Sequence, residues 1–311
     1  MGTLSVRKGR TRLKRLERIR WRKIKDGAAA KAMLVAVAFA NSIVLLIAFG
    51  LFVQSRPILA KKSIFHLLLS SSWHPSRGEF GFYPFIIGTL EVTAVAMLLS
   101  VPVCLLSAIY LSEYAHSRFR NLSRLVIDIM AAIPSVIYGL WGVIVIVPFV
   151  RALGLALNTP TTGYSLLAGG IILAIMVSPI IISVSMEVLR TVPIQARETA
   201  LALGATKWQA IKRVLLRSAL HGILSAIVLG FARAFGETIA VLMIVGNVPK
   251  VPQSIFDPAY PLPALLANNY GEMMSIPLYN SALLLSALIL LLVVGGFNLT
   301  AHLTLLRFEK R

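Results

Sequence analysis

Charged residues are scarce in this sequence, at 14% of 311 residues, whereas 57% are hydrophobic. A soluble globular domain is about a quarter charged. The shortage of charge excludes an ordinary soluble domain and indicates that much of the surface faces lipid. The single cysteine, Cys104, lies in an apolar run, so no disulfide can form within the chain.

Patterns for binding metal or nucleotide are missing as well. The five histidines have no ligand spacing and no cysteine partner, which argues against a metal site. No Gly-Lys-Ser/Thr stands at the spacing of a phosphate-binding loop, so any ATP site would belong to another chain. A membrane-bound enzyme is disfavoured because the acidic residues in and near the apolar runs form no pair: Glu91, Glu113, Asp128 and Glu187.

Basic residues are abundant, with 31 Lys and Arg against 12 acids and a formal net charge of +19. Residues 7–25 hold eleven of them beside one acid, Glu17, and an apolar run follows directly. That run is longer than the apolar region of a secretory signal peptide and has no small-residue cleavage site after it. It is therefore predicted to be a retained membrane helix, which divides the chain into a basic arm, 1–27, and a transmembrane domain, 28–311.

Apolar segments of membrane-spanning length recur along the chain. Crossing about 30 Å of hydrocarbon takes about 20 apolar residues in an α-helix. Internal proline is tolerated there because neighbouring helices and Ser or Thr side chains satisfy the freed backbone groups. The sequence predicts an all-α membrane protein with about six transmembrane helices, near residues 28–53, 84–111, 125–150, 164–189, 219–245 and 280–303.

The basic residues also predict the orientation of these helices. With the N-terminus in the cytoplasm, the inside segments carry 24 of the 31 basic residues, the outside segments carry six, and Arg233 lies within a span. Both termini are therefore expected in the cytoplasm. The basic arm is interpreted as a topology determinant that also meets anionic membrane lipid, in preference to a nucleic-acid-binding segment.

The longest inside loop, 190–217, has the composition of helices. Pro193 suits a helix start, and strong helix formers follow up to Leu203. Gly204 is typical of a helix C-terminus, and a second helical stretch comes after it. Two short helices joined by a tight glycine turn are predicted on the cytoplasmic face.

Span five contains two charged residues, Arg233 and Glu237. A charge at the bilayer centre costs at least about 2.5–3.5 kcal/mol, so such residues face protein or water. On a continuous helix, Arg233 would lie about 60° and Glu237 about 20° from Gly230. That direction is beside a stripe of small residues of the kind that lets membrane helices approach closely: Gly222, Ala226, Gly230 and Ala234.

Two interpretations of this pair stay open. The two charges neutralise each other one helical turn apart, although arginine first is the weaker order. Alternatively, the Arg233 guanidinium binds a tetrahedral oxyanion through two hydrogen bonds, while the Glu237 carboxylate accepts a hydrogen bond from a protonated one. Phosphate carries a proton at neutral pH and sulfate does not, so the second interpretation favours phosphate.

Residues Glu198, Thr199 and Ala200, followed after a three-residue gap by Gly204, resemble the EAA motif of ATP-driven (ABC) importer permeases. The resemblance implies that 190–217 is a coupling loop that contacts a separate ATPase through this motif. An interfacial amphipathic connector is the alternative. Thr199 stands where the motif usually has alanine, and Arg217 where it usually has proline.

Further stretches resemble the C-type permease of the phosphate-specific transport (Pst) family: 71–75, 133–142, and 232–238 with 246–247. The resemblance covers about residues 65–311. It implies the type I ABC importer permease (MetI-like) fold in the cytoplasmic (inner) membrane, crossed several times. It also implies a translocation subunit that imports inorganic phosphate by alternating access and has no ATPase site of its own.

The resemblance extends to partners and to the substrate pathway. It implies a homologous second (A-type) permease chain, two ATPase subunits that bind ATP and Mg²⁺, and an extracytoplasmic phosphate-binding protein. No cofactor is expected on this chain. Ser135 and Tyr138 are candidates to line the pathway with Arg233 and Glu237, and a packing role is the alternative for the first two.

Two other transporters remain as alternatives. Sulfate and molybdate permeases also resemble the sequence around Arg233 and Glu237, so an importer of the same fold for those anions is the first alternative. The 133–142 stretch is what favours phosphate. A proton-coupled secondary transporter acting through Glu237 is the second, and the EAA-like motif counts against it because such a carrier needs no contact with an ATPase.

Overall fold

The computed structural model describes the backbone of residues 3–273 and 276–309 and the side chains of residues 25–271, 276–301 and 303–304. The predicted lipid contacts of the basic arm fall mainly on residues 1–24, outside the described side chains. The chain divides into two compact units, residues 1–53 and 54–311. The first unit is helical over its described residues, and the second holds the packed core.

The chain is mostly helical, with one short antiparallel hairpin. A 3₁₀ turn, Pro75–Arg77, joins the two strands, and two π-helical turns, Gly142–Ile146 and Ile211–Leu215, interrupt longer helices. The elements in chain order are α1 Thr3–Lys61, α2 Ile64–Leu69, β1 Trp73–His74, β2 Glu79–Phe80, α3 Tyr83–Glu113, α4 Ser117–Ala132, α5 Ser135–Trp141, α6 Val147–Ala156, α7 Leu166–Thr191, α8 Ile194–Ala202, α9 Lys207–Ala210, α10 Leu216–Ser218, α11 Leu220–Gly236, α12 Ile239–Ile244, α13 Leu262–Met273 and α14 Pro277–Glu309.

Five helices are long and apolar enough to cross a membrane, and the number rises to six if one bent pair is counted as a single span. The bent pair is Lys207–Ser218 with Leu220–Gly236, which meet at 71°. This confirms the prediction of an all-α membrane protein with about six spans. The five single helices are Lys25–Lys61, Tyr83–Glu113, Ser135–Ala156, Leu166–Thr191 and Pro277–Ala301.

Helix α7 is the centre of the second unit, because α3 and α11 both pack along it. The buried stripe of α11 faces α7, as the small-residue pattern predicted. A Cβ added at Gly230 would lie 2.7 Å from the Ile181 side chain, and one at Gly222 would collide with Val188. Cys104 is fully buried in the central core, consistent with a small apolar role.

Two predicted spans have wrong boundaries. The span placed at 125–150 is broken, because Ile133 and Pro134 are extended (ψ 127° and 143°) and separate α4 from the membrane helix Ser135–Ala156. Proline disfavours helical backbone at the residue before it. The span placed at 219–245 is also broken, because α11 ends at Gly236 and Glu237 is extended, with ψ 125°.

The described part of the segment 247–279, which we call the re-entrant segment, turns back into the core. Residues 259–265 are all buried. Backbone N–H groups at the start of α7 donate hydrogen bonds to this segment, from Leu166 to the Asp257 carbonyl and from Leu167 to the Ile255 carbonyl, both at 2.8 Å. The segment therefore caps the N-terminus of α7.

The 71–75 stretch builds an aromatic cluster beside that segment. The Trp73 ring lies 4.8 Å from the Phe85 ring and 5.9 Å from the Tyr279 ring, measured between centroids. Phe85 continues the cluster to Tyr260, at 5.2 Å. These edge-to-face and tilted contacts fix the β1–β2 hairpin against the N-terminal ends of α3 and α14.

Candidate functional site

The loop predicted at 190–217 contains two helical arms, α8 and the broken helix Lys207–Ser218, which together we call the 194–218 segment. Gly204 between them has φ +80°, the left-handed conformation expected of a glycine that ends a helix. Thr206 precedes the second arm and caps it with two hydrogen bonds. Its hydroxyl accepts a hydrogen bond from the Gln209 N–H at 3.3 Å, and its own N–H donates one to Gln209 Oε1 at 2.9 Å. The prediction of two short helices and a glycine turn is confirmed.

The EAA-like residues occupy both sides of α8. Glu198 and Thr199 are exposed, whereas Ala200 is buried. Thr199 and Ala200 line an open groove of about 440 Å³ between the two arms, together with Leu203, Gln209 and Arg213. Leu203, at the end of α8, has 83% of its surface exposed. An apolar side chain this exposed, beside a groove with few charges, fits a contact surface for another protein.

Arg233 lies on the last turn of α11 and borders a cavity of about 240 Å³. The cavity is formed mainly by one face of α7, through Met176, Pro179, Ile180 and Ser183, and is closed by Ala131 of α4. The Arg233 side chain is exposed.

Tyr138 and Ser135 lie on α5, directly after the break at Pro134. Tyr138 is buried, and its hydroxyl donates to the Met130 carbonyl at 2.9 Å, which satisfies the last turn of α4. Ser135 is half-buried at the first position of α5. The Tyr138 hydroxyl therefore has a hydrogen-bond partner within the fold. Tyr138 and Ser135 both lie next to the break in the span, where backbone groups lack partners within a helix.

Glu237 lies outside the helix that carries Arg233, so the assumption that the two are one turn apart on a continuous helix is wrong. Glu237 is the C-cap of α11 and is half-buried. It borders a second, smaller cavity of about 10 Å³. Thr89 and Thr93 of α3 also line this cavity, as do Pro261 and Pro263 of the re-entrant segment. Arg233 and Glu237 form no ion pair within 4 Å among the described residues. The structure thus assigns the two charges to different cavities.

Two polar contacts of the 194–218 segment were missed from the sequence. Arg197 forms an ion pair with Glu113 at 2.8 Å, and Lys207 lies 4.3 Å above the centre of the Tyr114 ring. The sequence does not indicate the Glu113–Arg197 pair, because its two members are 84 positions apart. Within the described residues, no group of three or more His, Cys, Asp or Glu side chains could hold a metal ion.

The fold is that of a membrane protein with several spans, and the 194–218 segment gives it a surface suited to contact with another protein. The family of binding-protein-dependent transport system inner membrane components matches residues 100–306, and the chain belongs to this family. It is accordingly a multi-pass protein of the inner membrane.

Curated relatives fall in the same family. The chain is 38% identical over 228 residues to the probable ABC transporter permease YqgH of Bacillus subtilis, covering 73% of this chain and 72% of that one. It is 35% identical to the phosphate transport system permease PstC of Xylella fastidiosa, over 78% and 79% of the two chains. The PstC of Mesorhizobium japonicum is 33% identical over 91% and 89%. The resemblance to Pst-type permeases is therefore confirmed.

Solved structures support the fold. A bacterial ABC transporter that imports the acidic polysaccharide alginate superposes with a TM-score of 0.62 at 14% identity, over 92% of this chain and 98% of that chain. The inward-facing MetNI methionine ABC transporter superposes with a TM-score of 0.55 at 20% identity, over 71% and 93%. At these identities the likeness shows the fold alone, and that fold is the MetI-like permease fold predicted.

Proposed function

We propose that this chain is one permease half of an ATP-driven importer of inorganic phosphate. The observation that carries the proposal is the exposed Arg233 beside a cavity in a membrane span. An exposed guanidinium at membrane depth faces water or another protein rather than lipid. The curated relatives named as phosphate transport permeases support phosphate as its ligand.

The face of the bundle around Arg233 carries further polar groups. Ser183 and Glu187 lie one turn apart on α7, and both are exposed. This polar face is proposed to meet the homologous second permease chain, with the substrate path between them. Arg233 and Glu237 are both proposed to line the path. They border separate cavities, and the cavity beside Glu237, at about 10 Å³, has room for about one water rather than for a phosphate ion in this conformation. Ser135 and Tyr138 would shape its wall.

The remaining partners follow from the 194–218 segment. Glu198, Thr199, Ala200 and Gly204 are proposed to contact one of two ATPase subunits, which bind ATP and Mg²⁺. The chain itself is proposed to be a translocation subunit with no ATPase site and no cofactor. An extracytoplasmic phosphate-binding protein would deliver the anion to the opposite side. This arrangement places the 194–218 segment and both termini in the cytoplasm, in agreement with the distribution of basic residues.

Radiolabelled phosphate uptake in cells that lack this chain tests the substrate. Cells given the wild-type chain should recover uptake that excess sulfate or molybdate does not block. Full competition by either anion would move the substrate assignment to that anion while leaving the importer fold in place.

Glu237→Gln, measured with sulfate as competitor, tests the selectivity for phosphate. If the ratio of phosphate uptake with and without sulfate is unchanged in this variant, Glu237 has no role in selectivity. Uptake that collapses with the proton gradient instead of with ATP would favour a secondary transporter.

A further inference from the structure

An ion pair ties the 194–218 segment to the end of a membrane helix. Glu113 is the last residue of α3, and its Oε1 lies 2.8 Å from Nη2 of Arg197. The Glu113 side chain is 7% exposed and that of Arg197 27%. This ion pair joins residues 84 positions apart in the sequence.

Neighbouring groups hold both partners in place. The Ser112 hydroxyl donates to Glu113 Oε1 at 3.1 Å, and Arg197 Nη2 also donates to the Leu189 carbonyl at 3.1 Å. The Arg197 guanidinium therefore bridges the ends of α3 and α7. Arg197 directly precedes Glu198, so the bridge starts at the residue next to the EAA-like motif.

A second contact holds the other arm of the segment. Tyr114 follows Glu113, and Lys207 Nζ lies 4.3 Å from the centre of the Tyr114 ring, within the range of a cation–π interaction. Lys207 is the first residue of α9, beyond the Gly204 turn. Two adjacent residues at the end of α3 thus bind one cation from each arm.

Helix α3 extends from this point to the cavity that Glu237 borders. It is unbroken from Tyr83 to Glu113, with Pro102 inside it. Thr89 and Thr93, in its first third, line that cavity. Thr89 and Glu113 are about 36 Å apart along the helix axis at 1.5 Å per residue. A displacement applied at Glu113 is carried to Thr89 if α3 moves as a rigid body.

We propose that the Glu113–Arg197 ion pair, supported by Tyr114 and Lys207, transmits movement of the 194–218 segment to α3 and so to the cavity beside Glu237. Glu113 and Arg197 are positioning residues. The inference rests on the proposed function, because the movement of the 194–218 segment would come from the ATPase. A charge-assisted contact suits this role, since it fixes the direction and register between two elements. Apolar side chains of similar size would stabilise the fold equally well. The ion pair should therefore affect the coupling of ATP hydrolysis to transport, and not only the stability of the protein.

The test compares single and paired changes in the assembled transporter, reconstituted in vesicles with its ATPase subunits. Phosphate taken up and ATP hydrolysed are measured together. Glu113→Gln, Glu113→Arg and Arg197→Glu should each lower phosphate transported per ATP by about tenfold, the effect of losing one contact pair of ordinary strength. The exchange of charges, Glu113→Arg with Arg197→Glu, should recover part of the ratio lost in either single variant. It should not recover all of it, because glutamate at position 197 cannot donate to the Leu189 carbonyl.

Arg118→Gln is the matched control, because Arg118 is an exposed cation near the same end of α3. It should leave the ratio unchanged. Single variants that keep the wild-type ratio, or an exchange no better than the worse single variant, would overturn the proposed link. If the wild-type complex carries no phosphate, the proposed function fails instead. In that case the rate of ATP hydrolysis still tests the ion pair. A rate that the single variants change and the exchange restores would show that the pair couples the 194–218 segment to α3.

Discussion

The Thr89 hydroxyl joins a membrane helix to the re-entrant segment: it accepts a hydrogen bond from the Leu262 N–H at 2.9 Å and donates one to the Phe85 carbonyl at 2.6 Å. All of these groups are buried. One residue earlier, a Cβ added at Gly88 would lie 3.3 Å from the Tyr260 backbone nitrogen, so the two backbones approach closely. This contact positions the wall of the cavity that Glu237 borders.

Removing that hydroxyl should destabilise the protein. Thr89→Val keeps the shape of the side chain but leaves the buried Leu262 N–H without its partner, which costs about 1–3 kcal/mol. Thermal unfolding of the purified chain in detergent measures the loss. Ser107→Ala is the control on the same helix, because the Ser107 hydroxyl bonds only within its own helix, to the Val103 carbonyl at 2.7 Å. Equal melting temperatures for the two variants would contradict the anchoring role.

A methyl group at Gly230 should force α7 and α11 apart. Its Cβ would lie 2.7 Å from Ile181 and 3.4 Å from the Met97 methyl. Overpacking of this kind costs about 1–3 kcal/mol, so Gly230→Ala should melt at a lower temperature than wild type. Gly295→Ala serves as the control, since an added Cβ there meets nothing within 4 Å. A Gly230→Ala protein as stable as the control would show that the two helices have room to separate.

The Gly204 turn should be sensitive to backbone conformation alone. A Cβ there meets nothing within 4 Å, but φ is +80°. Alanine in the left-handed region costs about 1–2 kcal/mol, whereas asparagine is tolerated better. Gly204→Ala should therefore retain less of the ATPase during co-purification than Gly204→Asn, and Gly271→Ala should behave as wild type. If alanine and asparagine are equivalent, the turn geometry does not control that contact.

Arg233 and Glu237 should contribute independently to transport, because they border separate cavities. Effects at sites without shared partners add in free energy, so the fold reductions in uptake multiply. Uptake by Arg233→Gln, Glu237→Gln and the double variant measures this. A double variant no slower than the slower single variant would mean that the two side chains act on phosphate as one unit.

Local signals in the sequence predicted much of the fold. The spans follow from apolar length, and the small-residue stripe predicted the face of α11 that packs on α7. The Gly204 turn follows from one glycine between two runs of helix formers. The sequence also contains a signal for the break before Ser135, because Pro134 disfavours helical backbone at Ile133. The break is hard to predict because membrane helices also tolerate internal proline, so Pro134 alone does not distinguish a broken span from a continuous one.

Other features depend on tertiary packing and have no local signal. Residues 219–245 are apolar without proline, yet the helix stops at Gly236, and Ala240 and Ile244 of α12 pack against Tyr138 in a separate core. The proline-rich segment 247–279 has the composition of an exposed loop, but part of it is buried against α3. Glu113 finds Arg197 only after the chain folds. Each of these features bears on the candidate site, so the arrangement of its residues required the structure.

The most direct test of phosphate transport through this chain is radiolabelled phosphate uptake by cells that depend on it, with Arg233 varied. Arg233→Ala should reduce uptake about a hundredfold at equal membrane expression, because it removes charged hydrogen bonds. Arg233→Lys should recover only part, since lysine lacks the bidentate geometry. Arg151→Ala, an exposed arginine on α6, should have no effect. Phosphate uptake that persists undiminished in Arg233→Ala would contradict the account.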